Sequence, residues 1–354
     1  MDHYDSMAKL ASNENPYGPS AAVRRAIDHA LRYANRYGCP DGGIVQAIAD
    51  HHGVKPENVM LGAGSREILA VAAAAFLQGG RKVLAAEPSY EAVCKHAADI
   101  RAGAITLRLR HDYRQDIDSL IDVACARRRE IGLVYVCNPN NPTGLVVTKD
   151  EVRWLVEGVP PDTIVLVDEA YHHFVEDRRY GTSVPHVLAG RRVVVTRTFS
   201  KIAGLAAMRL GYAVAPEDVI AAMRPHKTGS VNVLVTWAGA AALKDAAGQE
   251  RVKRITIQLR RETIAELEAL GYAVIPSEAN FFMVHVGRPV PAVIEAFRER
   301  GVLVGRPFPP MLEHLRVSVG TSDEMRRFMA AFREIFAARG PAVAGACAHG
   351  AACG

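Results

Sequence analysis

Long hydrophobic stretches are missing from this sequence. Its longest apolar run, residues 68–77, is about half of the roughly 20 residues that a membrane-crossing helix requires, and it is rich in alanine. No membrane association is expected. The first residues, Met1-Asp2-His3-Tyr4-Asp5, carry neither a basic leader nor an apolar export segment, so the expected location is the cytoplasm. Charge of one sign is also scarce. Lys and Arg number 43 against 38 Asp and Glu, and the arginine clusters at 127–129, 191–192 and 260–261 are short and interleaved with acids. A nucleic-acid groove needs a continuous basic stripe, and none is legible. Cysteines are few: Cys39, Cys94, Cys125, Cys137, Cys347 and Cys353 form no CxxC and no Cys/His spacing suited to zinc, so reduced thiols are expected. His51-His52 and His172-His173 are sequence neighbours, and neighbours do not share a face of a helix or strand, which argues against metal ligation.

What is present is an ordinary globular composition. With 354 residues, 49% of them hydrophobic and 23% charged, the chain is long enough for one large core and a satellite domain. An N-terminal arm, residues 1–20, holds the turn-rich Asn13-Glu14-Asn15-Pro16-Tyr17-Gly18-Pro19, and the pattern at 21–32 predicts a helix. Short β-branched runs at 82–85, 132–137, 163–167, 192–196 and 210–215 alternate with helical stretches. That alternation predicts an α/β fold with a mostly parallel sheet in a large domain spanning residues 21–245. An amphipathic segment at 250–270 leads to strands at 272–275 and 281–286, giving a smaller α+β domain over 246–338, packed with the N-terminal segment. The tail, residues 339–354, is built of small residues and has too little bulk to bury; disorder is expected.

Polar residues at the ends of predicted strands mark where a ligand binds in such a sheet. Gly62-Ala63-Gly64-Ser65 is a tight turn entering a helix, a place where free amides meet an anion, although a plain turn and cap would look the same. Asn138-Pro139-Asn140-Asn141-Pro142-Thr143-Gly144 follows an apolar strand, fixed by two prolines and able to hold a cis Asn-Pro bond. Val167-Asp168-Glu169-Ala170-Tyr171 puts an acid at a strand end, where a protonated ring nitrogen is the partner that makes its burial worthwhile. Lys201, in the mainly apolar run 197–212, is a plausible amine nucleophile.

In this order the motifs resemble the fold-type-I pyridoxal 5′-phosphate (PLP) enzymes, and most closely the histidinol-phosphate aminotransferase family. The resemblance extends through Asn35-Arg36-Tyr37 to Leu315-Arg316-Val317-Ser318-Val319-Gly320-Thr321. It implies the aspartate-aminotransferase architecture and an aminotransferase acting between an amino donor and a 2-oxo acid such as 2-oxoglutarate. By it, Lys201 carries PLP as a Schiff base and then moves the α-proton, and Asp168 keeps the pyridine nitrogen protonated. Asn141 and Tyr171 hydrogen-bond the cofactor's phenolic oxygen. Ala63, Gly64, Ser65, Thr198, Ser200 and Arg209 hold its phosphate, and Tyr90 stacks on its ring. Tyr37 reaches the phosphate of a neighbouring subunit, which implies a homodimer. Arg316 clamps the substrate α-carboxylate, with Tyr17, Asn141 and Arg306 as further substrate contacts.

Some positions depart from that family. Ala63 stands for its usual Asn, Arg66 for an acid, and the arginine expected directly after residues 302–304 is displaced to Arg306. These departures read either as neutral drift in loops or as a side-chain pocket retuned away from a phosphate ester; the second is favoured because both sites face the substrate in the family, with aromatic or other amino acids fitting as well as histidinol phosphate. Decarboxylation, cyclisation or oxidation of an amino acid uses the same Lys201 and Asp168 and is an alternative on this fold. A PLP-binding gene regulator is not expected, because the arm before Asn13 is too short for a DNA-reading module.

Overall fold

The computed structural model describes residues 6–337; the tail expected to be disordered lies outside the described residues. In chain order the strands are β1 (Ala8–Leu10), β2 (Val59–Gly62), β3 (Lys82–Glu87), β4 (Gly103–Arg108), β5 (Ile131–Cys137), β6 (Ile164–Asp168), β7 (Val193–Thr198), β8 (Gly211–Val214), β9 (Val274–Ile275), β10 (Phe281–His285), β11 (Val302–Val304) and β12 (His314–Ser318). The principal sheet runs β2-β8-β7-β6-β5-β3-β4. Strands β3 to β7 pair in parallel, while β8 is antiparallel to β7 and β2. A mostly parallel sheet is therefore what the β-branched runs build.

Both faces of this sheet are covered, and the sequence shows why. Val134, Val136, Val165, Val167, Val193 and Val195 join one apolar cluster, while their alternates Leu133, Tyr135, Ile164, Leu166 and Val194 join another. A side-chain period of two with both phases apolar is the signature of a strand buried on each face. Asp168 ends β6, and the parallel register sets Cys137 of β5 and Thr196 of β7 on either side of it.

A three-stranded antiparallel sheet, β12-β10-β9, and a two-stranded parallel pair, β1-β11, lie outside the main sheet. Their core gathers Phe282, Phe297, Phe328 and Phe332 around Leu10 and Val302. The helix Ala246–Ala269 begins four residues before the expected start at 250, because the Asp245 side chain accepts from the Gly248 amide and caps it. The expected helix at 21–32 ends as Ala21–Ala30, its last turn tightening into a 3-10 turn, Leu31–Tyr33. No helix among the described residues is long and apolar enough to cross a membrane.

Among the described residues no group of three or more His, Cys, Asp or Glu, the paired histidines included, is placed to hold a metal. His52 Nε2 is 2.9 Å from the Tyr212 hydroxyl, and His172 Nδ1 is 2.8 Å from the Glu169 carbonyl. Burial, with Arg197 and then His51 adding, pushes His52 down to about 3. Burial also holds His172 and His173 well below the ordinary range. Since the unfolded chain protonates first as pH falls below about 6.5, stability is lost on acidification from there downward. At pH 5, His52 alone should account for about 1–2 kcal/mol. The unfolding temperature is expected to drop between pH 7 and 5, and the drop should shrink in His52→Gln.

Candidate functional site

A cavity of about 1090 Å³ opens at the carboxyl ends of the main strands. Lys201 enters it from the segment after β7, partly buried, its Nζ donating to the Ser12 carbonyl at 3.0 Å. Burial, and next the nearby Arg316, push its ammonium down to about 8. A substantial neutral fraction near neutrality follows, which makes this amine a competent nucleophile and base.

Asp168 is 1% exposed. Its Oδ1 accepts from Thr196 Oγ1 at 3.0 Å and its Oδ2 from Tyr135 OH at 3.3 Å. Burial raises its carboxyl to about 6 against the pull of those two hydroxyls. A carboxylate this deep and without a cation is set to receive one. Tyr171 lies beside it, its hydroxyl accepting from Asn13 Nδ2 at 3.1 Å and so keeping its own proton free to donate. Tyr90 forms part of the wall.

Arg316 is the reverse case. It is 7% exposed, and its Nη1 and Nη2 donate to Asn141 Oδ1 at 2.7 Å and the Ala11 carbonyl at 2.5 Å. Among the described residues its Nε has no acceptor, and burial pushes the guanidinium down to about 10. A buried cation bonded only to neutral carbonyls is an anion site. Asn141 gives its oxygen to Arg316, which leaves its amide nitrogen for a ligand.

The turn entering the helix Ser65–Phe76 makes the second anion site. Gly64 has φ +82°, and a Cβ there would lie 2.1 Å from Nη2 of Arg209; a Cβ on Gly211 would lie 2.3 Å from the Ser65 nitrogen. Arg209, itself at φ +64°, donates Nη1 to the Ala206 carbonyl at 2.6 Å and Nη2 to the Ala63 carbonyl at 3.2 Å. Thr198 and Ser200 hydroxyls, 2.9 Å apart, close the cup. A helix N-terminus, a guanidinium and two hydroxyls suit a phosphate monoester. With an amine, a buried acid and an aromatic wall in the same cavity, the donor set fits PLP.

Two expected contacts differ. The Ala63 amide is not free: it donates to Glu67 Oε2 at 2.6 Å, and the Gly64 amide to the Gly62 carbonyl at 2.8 Å, so the first turn's acid and the tight turn itself take up two of the three expected amides. Tyr17 is turned out of the cavity. Its amide donates to Asn15 Oδ1 at 3.0 Å while Asn15 Nδ2 holds the Ile202 carbonyl at 2.9 Å, and the ring lines a separate cleft with Arg24 and Arg251. Tyr37, expected to serve a neighbouring subunit, is fully exposed and does not line this chain's own cavity. Arg306 does line the mouth, paired with Glu91 at 3.0 Å.

Sequence reasoning missed Asn13, Tyr135 and Thr196. Tyr135 and Thr196 carried a weak signal, each a polar group inside a strand buried on both faces; Asn13, at φ +54°, carried only its residue type.

Residues 5–332 match the family "Aminotransferase class I and II". A histidinol-phosphate aminotransferase of Moorella thermoacetica is 36% identical over 336 residues, 93% of this chain and 85% of that one. An aromatic amino acid aminotransferase of Rhodococcus opacus is 37% identical over 335 residues, covering 92% and 90%. The crystal structure of histidinol-phosphate aminotransferase from Sinorhizobium meliloti in complex with pyridoxal 5′-phosphate superposes with a TM-score of 0.84 at 26% identity, covering 94% and 91%.

Proposed function

Because this chain belongs to the class I and II aminotransferases, and is a PLP-dependent transferase of amino groups, we propose that Lys201, Asp168 and Arg316 are the residues that run its reaction. The observation that carries the assignment is their meeting in one cavity with complementary needs. Lys201 is an amine depressed to about 8, Asp168 a buried acid lacking a cation, and Arg316 a buried cation lacking an anion.

Bound there, PLP supplies an aldehyde that bonds amines and a cationic ring that draws electrons from the neighbouring carbon. Lys201 would hold it covalently and, as a free amine, would take the proton from the donor's α-carbon. Asp168, ionised by the ring cation, keeps the ring nitrogen protonated. Arg316 would take the α-carboxylate and so fix the orientation of the α-carbon. Tyr171 and the Asn141 amide donate to the ring oxygen, Tyr90 packs on the ring, and Arg209, Thr198, Ser200 and Ser65 hold the phosphate.

The donor in this reading is an aromatic or other L-amino acid or a histidinol phosphate-like amine, and the acceptor a 2-oxo acid such as 2-oxoglutarate; the names of the Moorella and Rhodococcus relatives support both donor types. Residues 21–245 and 246–338 serve as large and small domains, a division supported by the separate sheets and separate apolar clusters. Cys39, Cys94, Cys125 and Cys137 are free thiols, in keeping with a reducing cytoplasm.

Mixing the purified enzyme with histidinol phosphate, aromatic amino acids, arginine and glutamate should bleach the visible band of the bound cofactor with at least one donor, and 2-oxoglutarate should restore it. Bleaching by none would sink the reading. The exposed Tyr37 belongs, in the same reading, to a homodimer in which it reaches the partner's phosphate. Refolding Lys201→Ala together with Tyr37→Ala should then yield more activity than the two separate preparations summed, because hybrid dimers contain one intact site. No gain means the sites are not shared.

A further inference from the structure

Tyr135 is a buried titratable group that none of the roles above uses. It stands within β5, wholly shielded from solvent, in the same apolar cluster as Leu133, Leu166 and Val194. A phenylalanine would fill that space as well. The hydroxyl is an addition that costs free energy to bury unless it finds an acceptor, and Oδ2 of Asp168, 3.3 Å away, is that acceptor. The Cys137 thiol also adjoins the hydroxyl, but it spends its own proton on the Pro139 carbonyl at 3.3 Å and offers only sulfur, a weak acceptor. Burial holds the phenol well above its ordinary range, so Tyr135 keeps its proton and remains a donor.

Thr196 acts on the same carboxyl from the other side. Strands β5 and β7 flank β6, and while Tyr135 reaches Oδ2 from β5, Thr196 Oγ1 donates to Oδ1 from β7 at 3.0 Å. Each carboxyl oxygen thus receives one hydroxyl from a different strand. Two such ties fix the rotation of the carboxyl about its terminal bond, a torsion that is otherwise broad. They also favour its charged form, which burial opposes.

We propose that Tyr135 is a positioning residue of the amino-transfer reaction, acting through Asp168: its hydroxyl holds the carboxyl ionised and in one orientation, so that the proton shared with the cofactor stays on the ring nitrogen. The inference rests on the reading that Asp168 faces that nitrogen. A carboxylate that loses a donor becomes a stronger base. Without the phenol, Asp168 draws the shared proton toward itself, and a ring without that proton takes electrons from the α-carbon less well. A hydrogen bond to a charged group is strong enough to shift such a proton equilibrium about tenfold. The substrate's carboxylate, held at Arg316, is untouched by the change, so the effect falls on turnover and not on binding.

The test compares the holoenzyme with its Tyr135→Phe, Thr196→Val and Asp168→Asn forms, each loaded with PLP carrying nitrogen-15 in the ring. The ring resonance of the parent should lie in the range of a protonated pyridine. In Asp168→Asn it should move to the neutral range, and in Tyr135→Phe part of the way, with Thr196→Val moving in the same direction. Turnover by Tyr135→Phe should fall about three- to tenfold, while KM for the best donor and for 2-oxoglutarate stays within about twofold. A Tyr135→Phe enzyme that unfolds at a lower temperature with its ring resonance unmoved has lost only packing, and that result overturns the proposal. A rise in KM with kcat unchanged overturns it as well. An effect in Thr196→Val without one in Tyr135→Phe gives the role to Thr196 alone. Should the resonance of Asp168→Asn remain in the protonated range, it is the Asp168 reading that falls; a resonance that moves in Asp168→Asn and stays in Tyr135→Phe rejects the Tyr135 inference alone.

Discussion

Replacing Lys201 with alanine is expected to lower turnover by at least about ten-thousand-fold, since positioned proton transfer alone contributes up to that factor and the covalent link is lost with it. Lys201→Arg should be as inactive. Arginine keeps the positive charge but does not surrender its proton near neutrality, whereas burial and Arg316 hold Lys201 down to about 8. Neither change should disturb the fold, because the one side-chain hydrogen bond of the lysine among the described residues is to the Ser12 carbonyl. Single-turnover kinetics with the best donor would measure the loss, and unchanged thermal unfolding of the cofactor-free protein would show that it is chemical. A variant retaining a tenth of the activity would remove Lys201 from the mechanism.

The second large effect is expected at Asp168. Removing one member of a buried ion pair costs about 3–5 kcal/mol, so Asp168→Asn should reduce kcat/KM by about 10²- to 10³-fold or more. Stability should move the other way. Burial raises the Asp168 carboxyl to about 6 from an ordinary value near 4, so in the cofactor-free protein its protonated form is favoured and stability is lost as pH rises through about 6. Asparagine is neutral throughout. Cofactor-free Asp168→Asn should therefore unfold at a higher temperature than the cofactor-free parent at pH 8, by roughly 2–3 kcal/mol of stability, with the gap closing toward pH 4. A gap independent of pH would show that Asp168 is not carrying the buried charge. The comparison is between matched unfolding curves across that range.

The strands of the main sheet were legible because their apolar runs have no polar phase to confuse them, and residues such as Val134, Val165 and Val194 are buried whichever face they take. Lys201, Asp168 and Asn141 were legible because they stand at the ends of those runs. What the pattern did not carry was how distant segments meet. Asn141 and Arg316 are 175 positions apart, and nothing local says that one side chain will hold the other. The occupation of the Ala63 amide by Glu67 was hidden for a different reason: a glycine turn at a helix start reads the same whether its amides face a ligand or a capping acid. Tyr17 was misplaced because a resemblance in sequence fixes the residue and not its rotation about the backbone, which the Asn15 turn decides here. The early start of the helix Ala246–Ala269 is the simplest omission, since Asp245 is an ordinary capping residue lying just outside the apolar repeat.

The arm of the chain also bears on the order of its synthesis. Strand β1 pairs with β11, and the residues just after it hold Arg316 through Ala11, Lys201 through Ser12 and Tyr171 through Asn13. Residues 8–11 meet β11 and Arg316 only after these have emerged from the ribosome, roughly 15–60 s later at ordinary rates of about 5–20 residues per second. A chain ended before residue 302 contains the strands of the main sheet and the lysine, but it has neither the substrate clamp nor the strand that seats β1. Competence for chemistry thus waits for residues 302–316, however early the lysine is made.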